Sequence, residues 1–436
     1  MIKKLGLVLI ALFAIQSYSQ ESTASPYSFY GIGSLNFKGT VENRSMGGLS
    51  IYTDSIHVNL RNPASYGGDN LAMWGNDARP IKFALGGGFN KTYLKSETSK
   101  GEAQSSTFNY LALAIPIGKL GFGVGIMPYT SVGYRLESLN EEGLIENKFN
   151  GEGGLNKVFL GIGYQFTKGL SLGVDFQYNF GNIQNNVVAF QYDDGTPVQY
   201  SSREINRSDL SGFGMNFGLT YKKKLNERLE LVTGLTYAPK MTLASDNDRL
   251  FSTVTINSTT GREIPFNIVE ADLEGLGLAK TDLVIPSKFS LGVGIGQVRN
   301  WFIGAEYFFT EESKFSNALY TSDITTYEDA STLSIGGFFI PQYNSFSSYF
   351  KRTVYRAGIR FEKSGLVIND ESIKEFGISF GIGLPVGESR LLSNANVGFE
   401  YGQRGTTKNN LIQEDFLNVQ LSLSLNDRWF RKRKYD

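Results

Sequence analysis

Three arginines, Arg352, Arg356 and Arg360, are spaced four residues apart, so on an extended strand their side chains share one face. A guanidinium group binds a carboxylate through two parallel hydrogen bonds. Acidic residues occupy the polar face of other strand-like segments: Asp175, Glu306 and Glu400. The row therefore predicts either ion pairs with interior acids or capture of a ligand carboxylate by one of the arginines, and both interpretations stay open.

The residue types needed for catalysis are scarce. The sequence contains no cysteine and a single histidine, His57. Thiolate chemistry, disulfides and cysteine-ligated metals are therefore excluded, and His57 has no triad geometry with the nearby Ser55. The segment 246–248 lacks the spacing of a calcium loop. We predict a protein that is not an enzyme and that needs no metal or cofactor.

Composition points to a large membrane barrel. The chain has 436 residues with 50 glycines, 13% aromatic and 19% charged residues, a balance typical of outer-membrane barrels and unusual for a soluble enzyme. Lysines plus arginines equal aspartates plus glutamates at 42 each, so no nucleic-acid partner is expected.

The N-terminus has the pattern of a secretory signal. Lys3 and Lys4 precede an apolar run from residue 5 to 15, and small residues follow at positions 17 and 19. We predict a signal peptide over residues 1–19. No later apolar segment is long enough for a spanning helix, which favours export to a bacterial outer membrane.

Alternating polarity predicts the strands. From Leu417 to Asn426, aliphatic and polar side chains alternate without exception. The expected fold is all-β, a fourteen-stranded antiparallel transmembrane barrel over residues 78–427 with both termini in the periplasm. Its strands are predicted near residues 78–92, 104–117, 120–135, 152–167, 170–184, 209–222, 228–242, 284–297, 300–312, 331–341, 351–362, 371–385, 392–404 and 411–426. A soluble β-sandwich is the alternative.

Connections also alternate, with short turns facing long polar loops at 185–208 and 243–283. The second loop carries apolar residues spaced for a short amphipathic helix, including Ile268, Val269 and Leu273. Pro239 and Pro286 are expected at strand ends. The connection 342–350 is long for a periplasmic turn and counts against this strand assignment.

Residues 20–77 do not alternate and precede the first strand, so they either extend into the periplasm or form an N-terminal hatch inside the lumen, which is too wide for side chains alone to fill. The segment Ser25 to Gly33 (Ser-Pro-Tyr-Ser-Phe-Tyr-Gly-Ile-Gly) resembles the start of FadL/TodX family outer-membrane proteins of the Bacteroidetes branch. The order of the following motif is similar to the hatch of that family: Gly47, Gly48, Asp54, Asn62, Pro63 and Ala64.

The resemblance implies passive uptake of hydrophobic, fatty acid-like compounds, which are captured by outer loops and released sideways at a kink in the third strand. Pro128 lies inside that predicted strand and cannot donate a ladder hydrogen bond. The expected gate comprises Gly125, Pro128, Tyr129 and Gly133. An unrecognised strand end at Pro128 is the other interpretation.

Three functions remain open: a channel for hydrophobic compounds, a non-transporting barrel that serves an outer-membrane protein secretion or assembly complex, and a small-solute porin. The basic tail, residues 428–436, is expected in the periplasm, where it would bind an envelope protein partner or outer-membrane lipid phosphates.

Overall fold

The computed structural model of the chain describes residues 23–54, 56–68, 80–256, 262–317, 324–386 and 393–427. These residues form a closed antiparallel barrel of 14 strands, which confirms the predicted fold. The predicted signal peptide and basic tail lie outside the described residues. None of the described helices is long and apolar enough to cross a membrane.

Each strand pairs with its neighbours in sequence, and the last strand closes the barrel by pairing with the first, Ile81 opposite Asp427. The strands are β1 (Ile81–Lys95), β2 (Lys100–Ile117), β3a (Leu120–Pro128) with β3b (Thr130–Leu139), β4 (Ile145–Thr167), β5 (Leu170–Ala189), β6 (Ser201–Lys224), β7a (Leu229–Ala238) with β7b (Met241–Ile256), β8a (Lys280–Ile285) with β8b (Lys288–Gln297), β9 (Trp301–Thr310), β10 (Ala330–Phe339), β11 (Val354–Ile368), β12 (Glu371–Val386), β13 (Ser393–Arg404) and β14 (Gln413–Asp427).

Burial follows the predicted alternation with the apolar face outward. On β14, Leu417 and Leu421 are exposed, whereas Gln420, Ser422 and Ser424 are buried in the lumen. An apolar outer face and a polar interior are the arrangement that a hydrocarbon surrounding requires. Turns of two to four residues predominate at one end of the barrel, here called the turn end, and the opposite end, with connections such as 311–329, is called the loop end.

The connections at the loop end contain more strand than the sequence indicated. The strands β5, β6 and β7b extend well into the predicted loops. The amphipathic helix was a wrong prediction, because Ile268 and Val269 lie in the strand Glu263–Glu270, which pairs antiparallel with β7b. Pairing satisfies the backbone groups of both segments at once, which an isolated short helix would not do.

Short elements lie in the hatch and in the connections at both ends of the barrel. The short strand pairs are Tyr192–Asp193 with Thr196–Pro197, Ser316–Asn317 on β8a, and Thr325–Tyr327 on β11. The helices are the α-helix Val41–Arg44 and the 3-10 helices Pro26–Phe29, Pro63–Tyr66, Glu312–Lys314, Phe350–Arg352 and Lys408–Asn410.

Prolines interrupt two strands that we expected them to end. Pro239 separates β7a from β7b, and Pro286 separates β8a from β8b. Both halves of each strand keep their pairing with neighbouring strands, since β6 pairs with β7a and with β7b. Proline removes one ladder donor and fixes φ, so it bends a strand without ending it when the neighbours hold both halves.

The N-terminal segment, residues 23–54 and 56–68, lies inside the barrel and is called the hatch below. It packs against inward-facing glycines all around the wall. These include Gly121, Gly163, Gly173, Gly218, Gly292, Gly304, Gly336, Gly358, Gly381 and Gly398. At Gly121 and Gly358 a β-carbon would overlap backbone atoms of Tyr66 and Met46, respectively. The glycines therefore form a belt that admits the hatch backbone.

The belt gives a direct test. Gly358→Ala places a methyl group on the Met46 backbone, so we expect a displaced hatch and faster proteolytic cleavage of the hatch in the purified barrel. Gly101→Ala on β2 is the matched control, because the nearest atom to its added methyl group is Leu94 Cβ at 3.9 Å. Equal cleavage rates in the two variants would contradict the belt.

Candidate functional site

The first half of the hatch motif follows a capped helix. Thr40 and Asn43 form a reciprocal capping box at the start of Val41–Arg44. Gly47 and Gly48 then take left-handed backbone angles, with φ of 71° and 92°. The Gly47 amide donates to Ser379 Oγ at 2.8 Å, and its α-carbon lies against the Ile359 backbone, where a side chain would clash. Glycine is required here by conformation and by contact.

Asp54 organises the next bend. Its carboxylate accepts hydrogen bonds from the amides of Ile56 and His57 at 2.8 and 2.7 Å, and His57 Nδ1 lies 2.7 Å from the second oxygen. Burial opposes the charge on Asp54, but the contacts with His57 outweigh it and lower the pKa of Asp54 well below its usual value. Lys82 on β1 donates to the carbonyls of Asp54 and His57. These bonds fix the bend to the wall.

The Asn62-Pro63-Ala64 motif docks the end of the hatch. Asn62 Oδ1 caps the helix Pro63–Tyr66 by accepting from the Ala64 amide at 3.0 Å. Its Nδ2 donates to the Leu219 carbonyl of β6 at 3.1 Å. Pro63 and Ala64 lie against Gly173, where any side chain would overlap them. The motif joins a helix cap to a wall contact.

The barrel wall opens beside the third strand. The ladder between β2 and β3a ends at Leu111 opposite Ile126, and no described ladder joins residues 100–110 to β3b. Pro128 still pairs with β4, opposite Asn156, and Tyr129 separates the two halves. We call the space between β2 residues 100–110 and β3b the wall gap.

The hatch covers the free edge of β3b. A two-residue hatch strand pairs with it antiparallel, Ser34 opposite Ser131 and Leu35 opposite Thr130. The Asn36 amide adds a hydrogen bond to the Tyr129 carbonyl at 3.1 Å. Backbone N–H and C=O groups at this strand edge would otherwise face hydrocarbon, and the hydrogen bonds with the hatch satisfy them.

The predicted gate residues are spread over these contacts. Tyr129 reaches into the lumen, where its hydroxyl accepts from Lys288 Nζ at 2.7 Å. The Gly133 amide donates to Ser28 Oγ of the hatch at 3.1 Å. Gly125 lies against the Leu111 carbonyl of β2, within the last closed part of the ladder.

Charged side chains cross the lumen between the hatch and strands β11 to β13. Arg360 pairs with Glu375 and, at 2.7 Å, with Glu400, and Arg404 pairs with Glu375 at 2.6 Å. From the hatch, Lys38 contacts Glu362 and Glu375 at 2.9 and 2.8 Å, and Arg44 contacts Glu400 at 2.9 Å. We call these residues the lumen ion network: Lys38, Arg44, Arg360, Glu362, Glu375, Glu400 and Arg404.

The arginine row divides into three environments. Arg360 belongs to the lumen ion network, and Arg356 is buried and donates to Asn396 Oδ1 at 3.1 Å. Arg352 does not continue the inward face of β11. It lies in the 3-10 helix Phe350–Arg352 before β11 begins at Val354, and its side chain is exposed over the Tyr349 ring. The three arginines would share one face only on a continuous strand, and β11 begins after Arg352.

The alternation of inward and outward positions along the strands also indicates three charged lumen residues that we did not single out. Glu375, Arg404 and Glu414 occupy the inward positions of β12, β13 and β14, on the same faces as residues already recognised as polar. The acids Asp175, Glu306 and Glu400 are buried as expected, and Glu306 accepts from the Ser50 amide and hydroxyl. Lys38 and Arg44 carried no sequence signal, because the hatch has no strand periodicity.

Removing one cation tests the network. Arg360→Met leaves Glu375 and Glu400 short of one partner, so we expect a loss of about 3–5 kcal/mol in the free energy of unfolding, measured by urea titration in lipid vesicles. Arg352→Met, which changes an exposed member of the same row, should alter it by less than about 0.5 kcal/mol. Similar losses in both variants would be incompatible with a network centred on Arg360.

The fold resembles that of known channels. The toluene transporter TodX of Pseudomonas putida is 17% identical, with a TM-score of 0.57 over 91% of this chain and 99% of that chain. The Ralstonia pickettii toluene transporter TbuX is 15% identical, with a TM-score of 0.56 over 89% and 98%. A Pseudomonas aeruginosa FadL homologue is 14% identical, with a TM-score of 0.54 over 90% and 99%.

The comparison with curated proteins gave no match. A protein-family model does match, over residues 1–436, and that model describes BamG. A FadL-type barrel with its N-terminal segment tied into the lumen is therefore the form that this sequence takes, and the chain belongs to the BamG family.

Proposed function

We propose that the protein is a non-transporting barrel that acts as a subunit of an outer-membrane protein secretion or assembly complex. In this proposal the turn end and both termini are periplasmic, residues 1–19 are removed on export, residues 20–77 are a permanent plug, and the basic tail binds a partner or lipid phosphates. The observation that carries the proposal is the lumen ion network.

The network supports a fixed plug. Its acids Glu375 and Glu400 are buried, and each contacts cations from both the hatch and the wall. Moving the hatch would separate buried opposite charges, and breaking such a pair costs about 3–5 kcal/mol. A hydrophobic solute passing this region would also have to displace ionic contacts without replacing them.

The space behind the wall gap is polar. A cavity of about 100 Å³ lies there, and its lining includes Arg44, Glu375 and Arg404 of the network and Ser105 and Ser131 beside the gap. An apolar ligand gains free energy from burial against apolar surface, which this cavity offers only sparingly.

A structured connection at the turn end offers a docking surface. Residues 340–353 join β10 to β11, and Phe346 and Phe350 are 98% and 71% exposed. The connection is held in place by the Tyr349 hydroxyl, which donates to the Pro385 carbonyl at 2.9 Å. Exposed aromatic side chains on a fixed backbone are typical binding hot spots.

Native purification tests the proposal. We expect the barrel, tagged at the exposed loop tip 194–195, to leave the membrane in mild detergent with stoichiometric envelope proteins, identified by mass spectrometry. Phe346→Ser combined with Phe350→Ser should remove at least one of them. Phe266→Ser, an exposed aromatic at the loop end, is the matched control. A barrel that always elutes alone would disprove the subunit role.

A second function, passive uptake of hydrophobic compounds with release at the wall gap, is favoured by one observation. The ladder between β2 and the third strand ends at Leu111 opposite Ile126, and the fold neighbours include two proteins described as toluene transporters. In this alternative the ligand is fatty acid-like or another small hydrophobe, and the hatch strand must leave β3b.

A reversible disulfide between the hatch strand and β3b would distinguish the two functions experimentally. Leu35 and Thr130 face each other across the hatch strand and β3b, and the chain has no cysteine of its own. Leu35→Cys with Thr130→Cys should form a disulfide, since directly opposed residues on paired strands are close enough. We expect uptake of a radiolabelled fatty acid by whole cells to be the same with the disulfide oxidised or reduced. Uptake that falls on oxidation and recovers on reduction, but not in either single variant, would establish the channel instead.

A further inference from the structure

A large cavity opens at the turn end, on the opposite side of the hatch from the loop end. Its volume is about 630 Å³, within the range of about 300–1,000 Å³ that ligand sites occupy. The hatch contributes Met46, Tyr52 and Asp54 to its lining, and the short turns contribute Lys168 and Arg299.

Arg356 is the buried cation of this cavity. Its side chain is 7% exposed, and its single hydrogen bond in the described part of the chain goes to Asn396 Oδ1. Among the described residues, no carboxylate oxygen lies within the 4.0 Å of an ion pair. Arg360 and Arg404 both have carboxylates at that distance. A buried guanidinium without an anion is unfavourable unless a ligand or water completes it.

Three acids line the cavity, Glu42, Asp54 and Glu230, and the first two already accept hydrogen bonds from other residues. Glu42 accepts from Asn396 Nδ2 at 2.6 Å and from Ser422 Oγ at 3.0 Å. Asp54 holds His57, as described above. Glu42 and Asp54 offset part of the positive charge of Arg356 at longer range, and Arg356 lines the cavity.

Elsewhere the cavity lining has an apolar part and a basic part. An aromatic floor is formed by Tyr52, whose ring centre lies 4.7 Å from that of Phe338, with Met46 and Ile340 alongside. Basic residues surround the mouth: Lys168, Lys222, Lys223, Lys224, Arg299 and Arg352. An apolar floor with one buried cation and a basic mouth matches a ligand that is apolar along its length and negatively charged at one end.

We infer that the turn-end cavity binds an apolar carboxylate, with the carboxylate on Arg356 and the apolar part against Tyr52 and Phe338. Two sources have this chemistry: a free fatty acid, and the C-terminus of a polypeptide that ends in an apolar residue. This inference does not depend on the proposed subunit role, because it is argued from Arg356 and the apolar lining and not from the lumen ion network.

Calorimetric titration of the purified full-length barrel in a neutral detergent tests the inference. The probes are decanoate and N-acetyl-leucyl-phenylalanine, each compared with its uncharged amide. We expect at least one carboxylate to bind about tenfold or more tightly than its amide, and which one binds identifies the source. Arg356→Met should abolish this preference, Arg356→Lys should retain part of it, and Arg207→Met, which changes an exposed arginine outside the cavity lining, should leave it unchanged.

A second measurement uses only the unaltered protein. Decanoate and the dipeptide, each carrying a diazirine in the apolar part, should label residues such as Tyr52 and Phe338 on irradiation, as mapped by mass spectrometry. Binding of neither carboxylate, equal binding of the amides, or labelling confined to the lipid-facing surface would overturn the inference.

Discussion

The structure depends on buried ion pairs between the hatch and one side of the barrel. Glu375 and Glu400 are wall residues that receive cations from both the wall and the hatch. Without Lys38 and Arg44 the wall acids would lose part of their compensation, and without the wall the hatch cations would have no partners. Since a lone buried charge is strongly unfavourable, the two parts are stable only together.

A glycine belt makes this arrangement possible. A barrel of this size has a lumen that side chains alone do not fill, so a chain segment must enter. The hatch backbone comes into contact with the wall at positions such as Gly121 and Gly358, where a β-carbon would overlap it. The high glycine content is thus explained by close approach of two backbones, in addition to turns.

The same contacts shape the functional possibilities. At the wall gap the ladder between β2 and the third strand has ended, and the hatch strand pairs with the edge of β3b instead. The fold of the toluene transporters is therefore retained, while charge occupies the lumen beside the gap. The similar fold favours transport of a hydrophobic compound, whereas the charged lumen opposes it. We give the buried charges more weight because any solute that passes through the lumen would contact them.

The sequence by itself determined the strands, their inward and outward faces and the buried positions of Asp175, Glu306 and Glu400, because alternation is local and a strand has two faces. Parity also marked Glu375 and Arg404 as inward. Parity did not separate the three arginines from one another. Arg352 precedes the start of β11, Arg356 lines the turn-end cavity, and Arg360 joins the lumen ion network. Only the tertiary structure decided those three roles, since the partners of each arginine come from the hatch and from distant strands that no local pattern relates to it.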